Sequence, residues 1–99
     1  MQIILTDRAI DDINIAKKWY NEQQINLGFK FAEYIFKCLE SISSNPGGFP
    51  SKYKYTREMV IRKYPYIIIY SIEEDKIFIL RVFPGKKSPN TKYRRITKK

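Results

Sequence analysis

Ninety-nine residues carry 19 Lys and Arg, 10 Asp and Glu and no histidine, giving a formal charge of +9 and a pI near 9.7. That length suits one domain (1–99) with one modest core. Without histidine, Ser-His-Asp and Cys-His nucleophiles and His/Cys zinc sites are excluded, so neither a metal nor another cofactor is expected.

A single cysteine, Cys38, rules out an intramolecular disulfide framework and fits a reducing compartment. With no apolar run of about 18 residues and no signal-peptide pattern, the expectation is a cytoplasmic chain with no membrane partner. The charge is lopsided: residues 1–50 hold five Lys/Arg and six Asp/Glu, residues 51–99 fourteen and four. Such asymmetry points to an acidic or polyanionic partner met by the C-terminal half; the plainer alternative is a solubilising charge coat.

In chain order, Met1 to Leu5 is a short apolar run that reads as a first strand. Thr6 and Asp7 then offer N-cap oxygens, and Asp7, Asp11 and Asp12 suit the positive end of a helix. Ala9, Ile13, Ala16 and Tyr20 recur at spacings of four, three and four, with Ile10 and Trp19 flanking, which predicts a helix from Asp7 to Gln23 or Gln24. Asn26 is placed to cap a second helix, whose apolar stripe is Phe31, Ile35, Cys38 and Ile42, widened by Leu27, Ala32, Tyr34 and Leu39. Cys38 is thereby a small buried hydrophobe. Ser43 to Gly48 ends that helix, and the two helices form an antiparallel hairpin that must bury its stripe against a sheet.

Phe49 to Tyr55 leads into the strands; in an extended chain Tyr53 and Tyr55 share one side and Lys52 and Lys54 the other. Residues Arg57 to Phe83 are rich in β-branched and aromatic side chains. They predict a strand up to Lys63 or Tyr64, a break near Pro65, and two long central strands joined at Glu73-Glu74-Asp75. In the last strand Phe78, Leu80 and Val82 are expected on the helices, and Ile77, Ile79, Arg81 and Phe83 on the opposite, open face. From Pro84 to Lys99 the chain is a basic tail with seven bases and no acid. The predicted class is α+β: an N-terminal strand, a helical hairpin, then a mostly antiparallel twisted sheet of three to four further strands.

This order of elements resembles the RelE/ParE superfamily of toxins from type II toxin–antitoxin systems. The residues that carry the resemblance are Ala9 to Tyr20, Leu27-Gly28 with Phe31-Ala32, Asn45-Pro46, Arg57, Arg62 to Tyr66, Ile69-Tyr70, Ile77 to Val82 and Lys86 to Pro89. They span nearly the whole chain, and Tyr64-Pro65-Tyr66 followed by Ile-x-Tyr is the strongest segment. The resemblance implies a toxin of the plasmid-stabilisation kind that inhibits growth and is neutralised by a cognate antitoxin. Its target would be the ribosome and its mRNA, cleaved by a ribosome-dependent endoribonuclease (an mRNA interferase) of RelE type, or DNA gyrase, bound by a ParE-type inhibitor that needs no catalytic residues. A third reading is a non-toxic or degenerate binding module of the same fold.

For RNA cleavage, Arg and Lys would hold the scissile phosphate and a Tyr would stack on a base. The candidate catalytic residues are Lys52, Lys54, Arg62, Arg81 and Tyr93; the candidate target-binding residues are Arg57, Lys86, Lys87, Arg94 and Arg95. The resemblance also shows two departures: Ile67 stands where RelE members carry a catalytic Arg, and Pro84 where a His is frequent. Each residue has a structural alternative. Tyr64, Tyr66 and Tyr70 suit sheet packing, Arg57 and Arg62 could pair with Glu58 or with the acidic turn, and the tail bases could be solvated.

Overall fold

The computed structural model describes residues 1–85. The fold begins with a strand, β1 (Gln2–Leu5), and the first helix, α1 (Asp7–Gln23), starts where Thr6 supplies its N-cap oxygen to the Ala9 N–H. A three-residue link leads to α2 (Leu27–Ser44), and a 3₁₀ turn (Pro46–Gly48) then delivers the chain to four strands: β2 (Ser51–Tyr53), β3 (Thr56–Ile61), β4 (Tyr66–Glu73) and β5 (Lys76–Pro84). The sheet order is β1-β5-β4-β3-β2. Every pairing is antiparallel except β1 with β5, which run parallel with Gln2 opposite Lys76 and Leu5 opposite Ile79. This is the α+β architecture the hydrophobic pattern predicts.

The helical hairpin closes on Gly28. A Cβ there would lie 2.2 Å from the Lys17 carbonyl oxygen, so only glycine lets α2 cross α1 this closely. Asn26 stands at the N-cap position but makes no capping hydrogen bond. Its backbone is left-handed, at φ 67, and the first turn of α2 is satisfied from α1 instead, by Asn21 Oδ1 accepting the Gly28 N–H at 2.7 Å. Lys17 lies over the Phe29 ring at 5.0 Å.

Both helices cover one face of the sheet. Ala9, Ile13 and Ala16 of α1 and Phe31, Ile35, Cys38 and Ile42 of α2 are buried against Ile61, Ile68, Tyr70, Ile77, Ile79 and Val82. Each buried Ile or Phe contributes about 1.5–3 kcal/mol of transfer free energy, so this stripe is the main reason the hairpin stays on the sheet. An aromatic group extends the core: Phe31 stacks on Tyr20 at 5.0 Å and meets Tyr64 and Tyr66 at 5.2 and 5.1 Å. Tyr70 is fully buried and donates its hydroxyl to the Pro46 carbonyl at 2.5 Å, which ties the helix exit to the sheet. Tyr64 and Tyr70 are core residues and Tyr66 packs against the core, as the packing alternative has it.

Three local expectations are corrected. β3 ends at Ile61, two residues early, because Arg62 to Pro65 form the turn. Lys52 to Tyr55 do not alternate as one extended run: Lys54 is left-handed (φ 50), so β2 stops at Tyr53 and a tight reversal follows. The face assignment in β5 is half inverted. Tyr70 pairs with Ile79 but Ile69 pairs with Arg81, so Leu80 is an extra residue, a β-bulge that flips the alternation. Before it, Ile77 and Ile79 face the helices; after it, Val82 does. Leu80 and Phe83 pack with Ile67 and Ile69 in a second, smaller cluster.

The β4–β5 hairpin turns on Glu74 and Asp75, both at positive φ (50 and 63), as a two-residue turn of type I′ demands. The acidic cluster therefore makes the turn without a glycine.

Candidate functional site

β1 ends beside Ile79, so β5 runs on from Leu80 to Pro84 with no strand on that side. The sequence fills this open edge with side chains from the start of α1. Thr6 donates its backbone N–H to the Ile79 carbonyl at 3.2 Å, and its hydroxyl reaches the Ile79 and Leu80 carbonyls at 2.7 and 3.3 Å. One and a half turns later Asp12 faces the same edge. Its Oδ2 accepts the Val82 N–H at 2.9 Å and the Arg81 Nε–H at 2.7 Å, and its Oδ1 accepts from Arg81 Nη2 at 2.8 Å. One carboxylate thus satisfies a strand-edge amide and a guanidinium in the two-pronged geometry that suits Arg.

The sequence places Arg81 on the open face as an embedded cation that needs an anionic partner or open water. It is instead 4% exposed, turned to the edge of the sheet by the bulge, with Cζ 4.0 Å from the centre of the Phe83 ring. Its Nη1 is buried and has no hydrogen-bond partner among the described residues. Beside this pair lies a cavity of about 180 Å³ lined by Asp12, Ala16, Tyr66, Arg81, Val82 and neighbours. It adjoins a second, of about 320 Å³, with which it shares Ile15, Ala16, Tyr66 and Pro84; Trp19, Tyr20 and Pro65 complete the second lining. Ile15 and Trp19, one turn apart on the flank of α1, stand exposed at the rim (69% and 53%). Burial raises the Tyr66 phenol above its ordinary value, with further contributions from Tyr20 and Asp12, so it remains a protonated donor at neutral pH. Tyr20 is raised for the same first reason, with Tyr64 adding to it.

The other candidate cations lie elsewhere. Lys52 and Lys54 are exposed on the β2–β3 hairpin with Tyr53 and Tyr55, and Lys54 Nζ lies 5.3 Å from the Tyr53 ring. Thr56 pins the reversal by donating its hydroxyl to the Tyr53 carbonyl at 2.6 Å. Arg57 turns toward the helix side and donates to the Phe49 carbonyl at 2.8 Å. Arg62 is exposed in the β3–β4 turn, and its neighbour Lys63 lies over the Tyr34 ring at 5.3 Å. Three strand spacings separate β2 from β5, about 14 Å across the sheet, so Lys52 and Lys54 do not converge with Arg81. Lys86, Lys87, Tyr93, Arg94 and Arg95 lie outside the described residues.

The residues missed in the sequence are Asp12, Ile15 and Trp19. Asp12 follows Ala9 by three and precedes Ala16 by four, which places an acid on the border of the buried stripe, a signal for a buried partner. Ile15 and Trp19 are apolar at i and i+4 but off that stripe, which marks a second apolar flank. Among the described residues no helix is long and apolar enough to cross a membrane.

Residues 3–89 match the family described as the ParE toxin of the type II toxin–antitoxin system, parDE. The chain belongs to the ParE toxin family. Such a toxin has an antitoxin as its partner. The fold of this ParE-family chain is shared with solved structures. A chain from the chromosomal ParDE toxin–antitoxin system of P. aeruginosa superposes with a TM-score of 0.77 at 20% identity, over 87% of this chain and 97% of that one. The isolated E. coli RelE toxin superposes with a TM-score of 0.63 at 16% identity, over 98% and 95%. No curated protein sequence matches the chain.

Proposed function

We propose that this ParE-family toxin arrests growth by binding DNA gyrase, not by cutting mRNA, and that its antitoxin neutralises it by covering its surface. The observation that supports this reading is the dispersal of the candidate cations among the described residues. Hydrolysis of an RNA phosphate needs a phosphate clamp and a proton-transfer group within hydrogen-bond reach of one another. Here Arg81 is engaged by Asp12, Lys52 and Lys54 sit on the far side of the sheet, and Arg62 is in a separate turn. Ile67, where the resemblance places an Arg in RelE, is buried in the second apolar cluster. A toxin that works by binding alone requires none of these groups to meet.

Two assays on the purified protein test the proposal together. In a gyrase supercoiling reaction we expect loss of negative supercoiling with rising toxin. In a ribosome-containing cell-free translation reaction, primer extension should find the mRNA intact. Ribosome-dependent cuts at defined positions, with supercoiling unaffected, would overturn the proposal and return attention to Lys52, Lys54 and Arg62.

A further inference from the structure

We infer that the groove between α1 and the open edge of β5 is a recognition site for an acidic, apolar segment of the antitoxin, and that Arg81 Nη1 reads a carboxylate oxygen on that segment. The inference rests on the antitoxin partnership proposed above.

Four observations converge on this place. Two contiguous cavities, of about 180 and 320 Å³, run along the flank of α1, and together they are large enough for an apolar side chain and its neighbour. Their rim exposes Trp19 and Ile15, and exposed aromatics beside a pocket are the usual anchors of protein interfaces. The floor holds an arginine that is almost wholly buried and only partly satisfied. Nε and Nη2 are bound to Asp12, while Nη1 has no acceptor among the described residues although the residue lines the smaller cavity. A buried donor without a partner carries a desolvation cost, which an entering oxygen removes. Finally, a chain with a formal charge of +9 selects an acidic partner and disfavours a second copy of itself.

The geometry also limits how the segment can approach. Strand addition along this part of β5 is blocked, because Asp12 already takes the Val82 N–H and Pro84 has none to give. Recognition must therefore be by side chains: an apolar group against Ile15, Trp19 and Tyr66, and a carboxylate directed at Arg81. Nη1 is closed from solvent, so the segment reaches it only when a side chain lining the smaller cavity turns aside. Arg81 thus acts as a specificity residue while keeping its bond to Asp12.

The test uses the full-length toxin and the small protein encoded beside its gene, with binding measured by calorimetry at fixed salt. Trp19→Ala and Ile15→Asp alter exposed side chains, so we expect melting temperatures near that of the parent and affinity lowered at least tenfold. Scanning the partner's Asp and Glu residues to Asn and Gln should find one whose change weakens binding about tenfold. Against Arg81→Lys, which keeps a charge for Asp12 but removes Nη1, that same change should have little further effect, the mark of a direct pair. Full-strength binding by the Trp19 and Ile15 variants, or a carboxylate scan in which every effect is unchanged by Arg81→Lys, would overturn the inference and leave the antitoxin partnership standing. Failure of the neighbouring protein to bind the parent toxin would remove both.

Discussion

Two of the places where basic side chains meet the sheet of this protein are built on opposite principles. At the α1–β5 edge, Arg81 is buried, its charge matched by Asp12 from 69 residues away, its ring-stacking surface used by Phe83. At the β2–β3 hairpin, Lys52 and Lys54 stand in water at the end of a three-residue strand, held by little more than a Thr56 hydrogen bond. The first cation belongs to the fold and can be altered only at the cost of the sheet edge. The second pair protects an exposed edge from further strand pairing, as lysine commonly does, and is available for contacts. Charge alone does not distinguish them; burial does.

The comparison breaks most visibly if the edge is cut. Asp12→Ala leaves a buried guanidinium and the Val82 N–H without an acceptor, and urea denaturation should show a loss of about 3–5 kcal/mol. The double change Asp12→Leu with Arg81→Met should recover part of that, because no charge is left stranded, while the Val82 N–H still lacks its acceptor. If Asp12→Ala unfolds at the parent's midpoint, the edge is no more structural than the hairpin.

A smaller effect is expected one turn earlier. Thr6→Ala removes the N-cap of α1 and the hydroxyl bonds to the Ile79 and Leu80 carbonyls, and should cost about 1–2 kcal/mol. Alkaline pH reads the tyrosines packed near this corner. Burial raises Tyr20, Tyr66 and Tyr70 above their ordinary 10.0, and Cys38 above 9.0. The folded state therefore holds protons that the unfolded chain has released. That stability is fully present below the ordinary values and is lost as pH rises through and beyond them. Melting temperature should be flat across neutral pH and fall above about pH 9, and Tyr66→Phe should blunt the fall.

The hairpin gives the smallest response. Lys52→Ala and Lys54→Ala should each change stability by less than about 0.5 kcal/mol. Lys54→Gly should raise it by up to about 1 kcal/mol, since glycine adopts the left-handed backbone without strain. A large loss on either alanine change would show that the hairpin, too, is tied into the fold.

Most of the fold is legible in the residues because one physical signal repeats. The three–four spacing of Ala9, Ile13 and Ala16 and of Phe31, Ile35, Cys38 and Ile42 sets both helices, and Thr6 sets where the first begins. What the sequence hides is set by non-local pairing. The bulge at Leu80 depends on the register between β4 and β5, and simple alternation cannot foresee that a single residue will be passed over. Asp12 and Arg81 look unrelated at a separation of 69 residues until the parallel β1–β5 pairing brings α1 across the end of β5. The candidate site was therefore read by residue type, which singled out Arg81 as a cation in need of an anionic partner but did not identify Asp12 as that partner, nor Ile15 and Trp19 beside it.

The parallel pairing of β1 with β5 also sets a schedule for biosynthesis. Gln2 to Leu5 are made before their strand partners among the described residues, Lys76 to Ile79, which follow roughly 70 residues later. At about 5–20 residues per second the nascent chain spends roughly 4–15 s with its N-terminal strand unmatched. Through that interval the groove beside α1 lacks the edge that forms its other wall. The groove proposed above as a recognition site therefore cannot close until β5 has been made, long after α1.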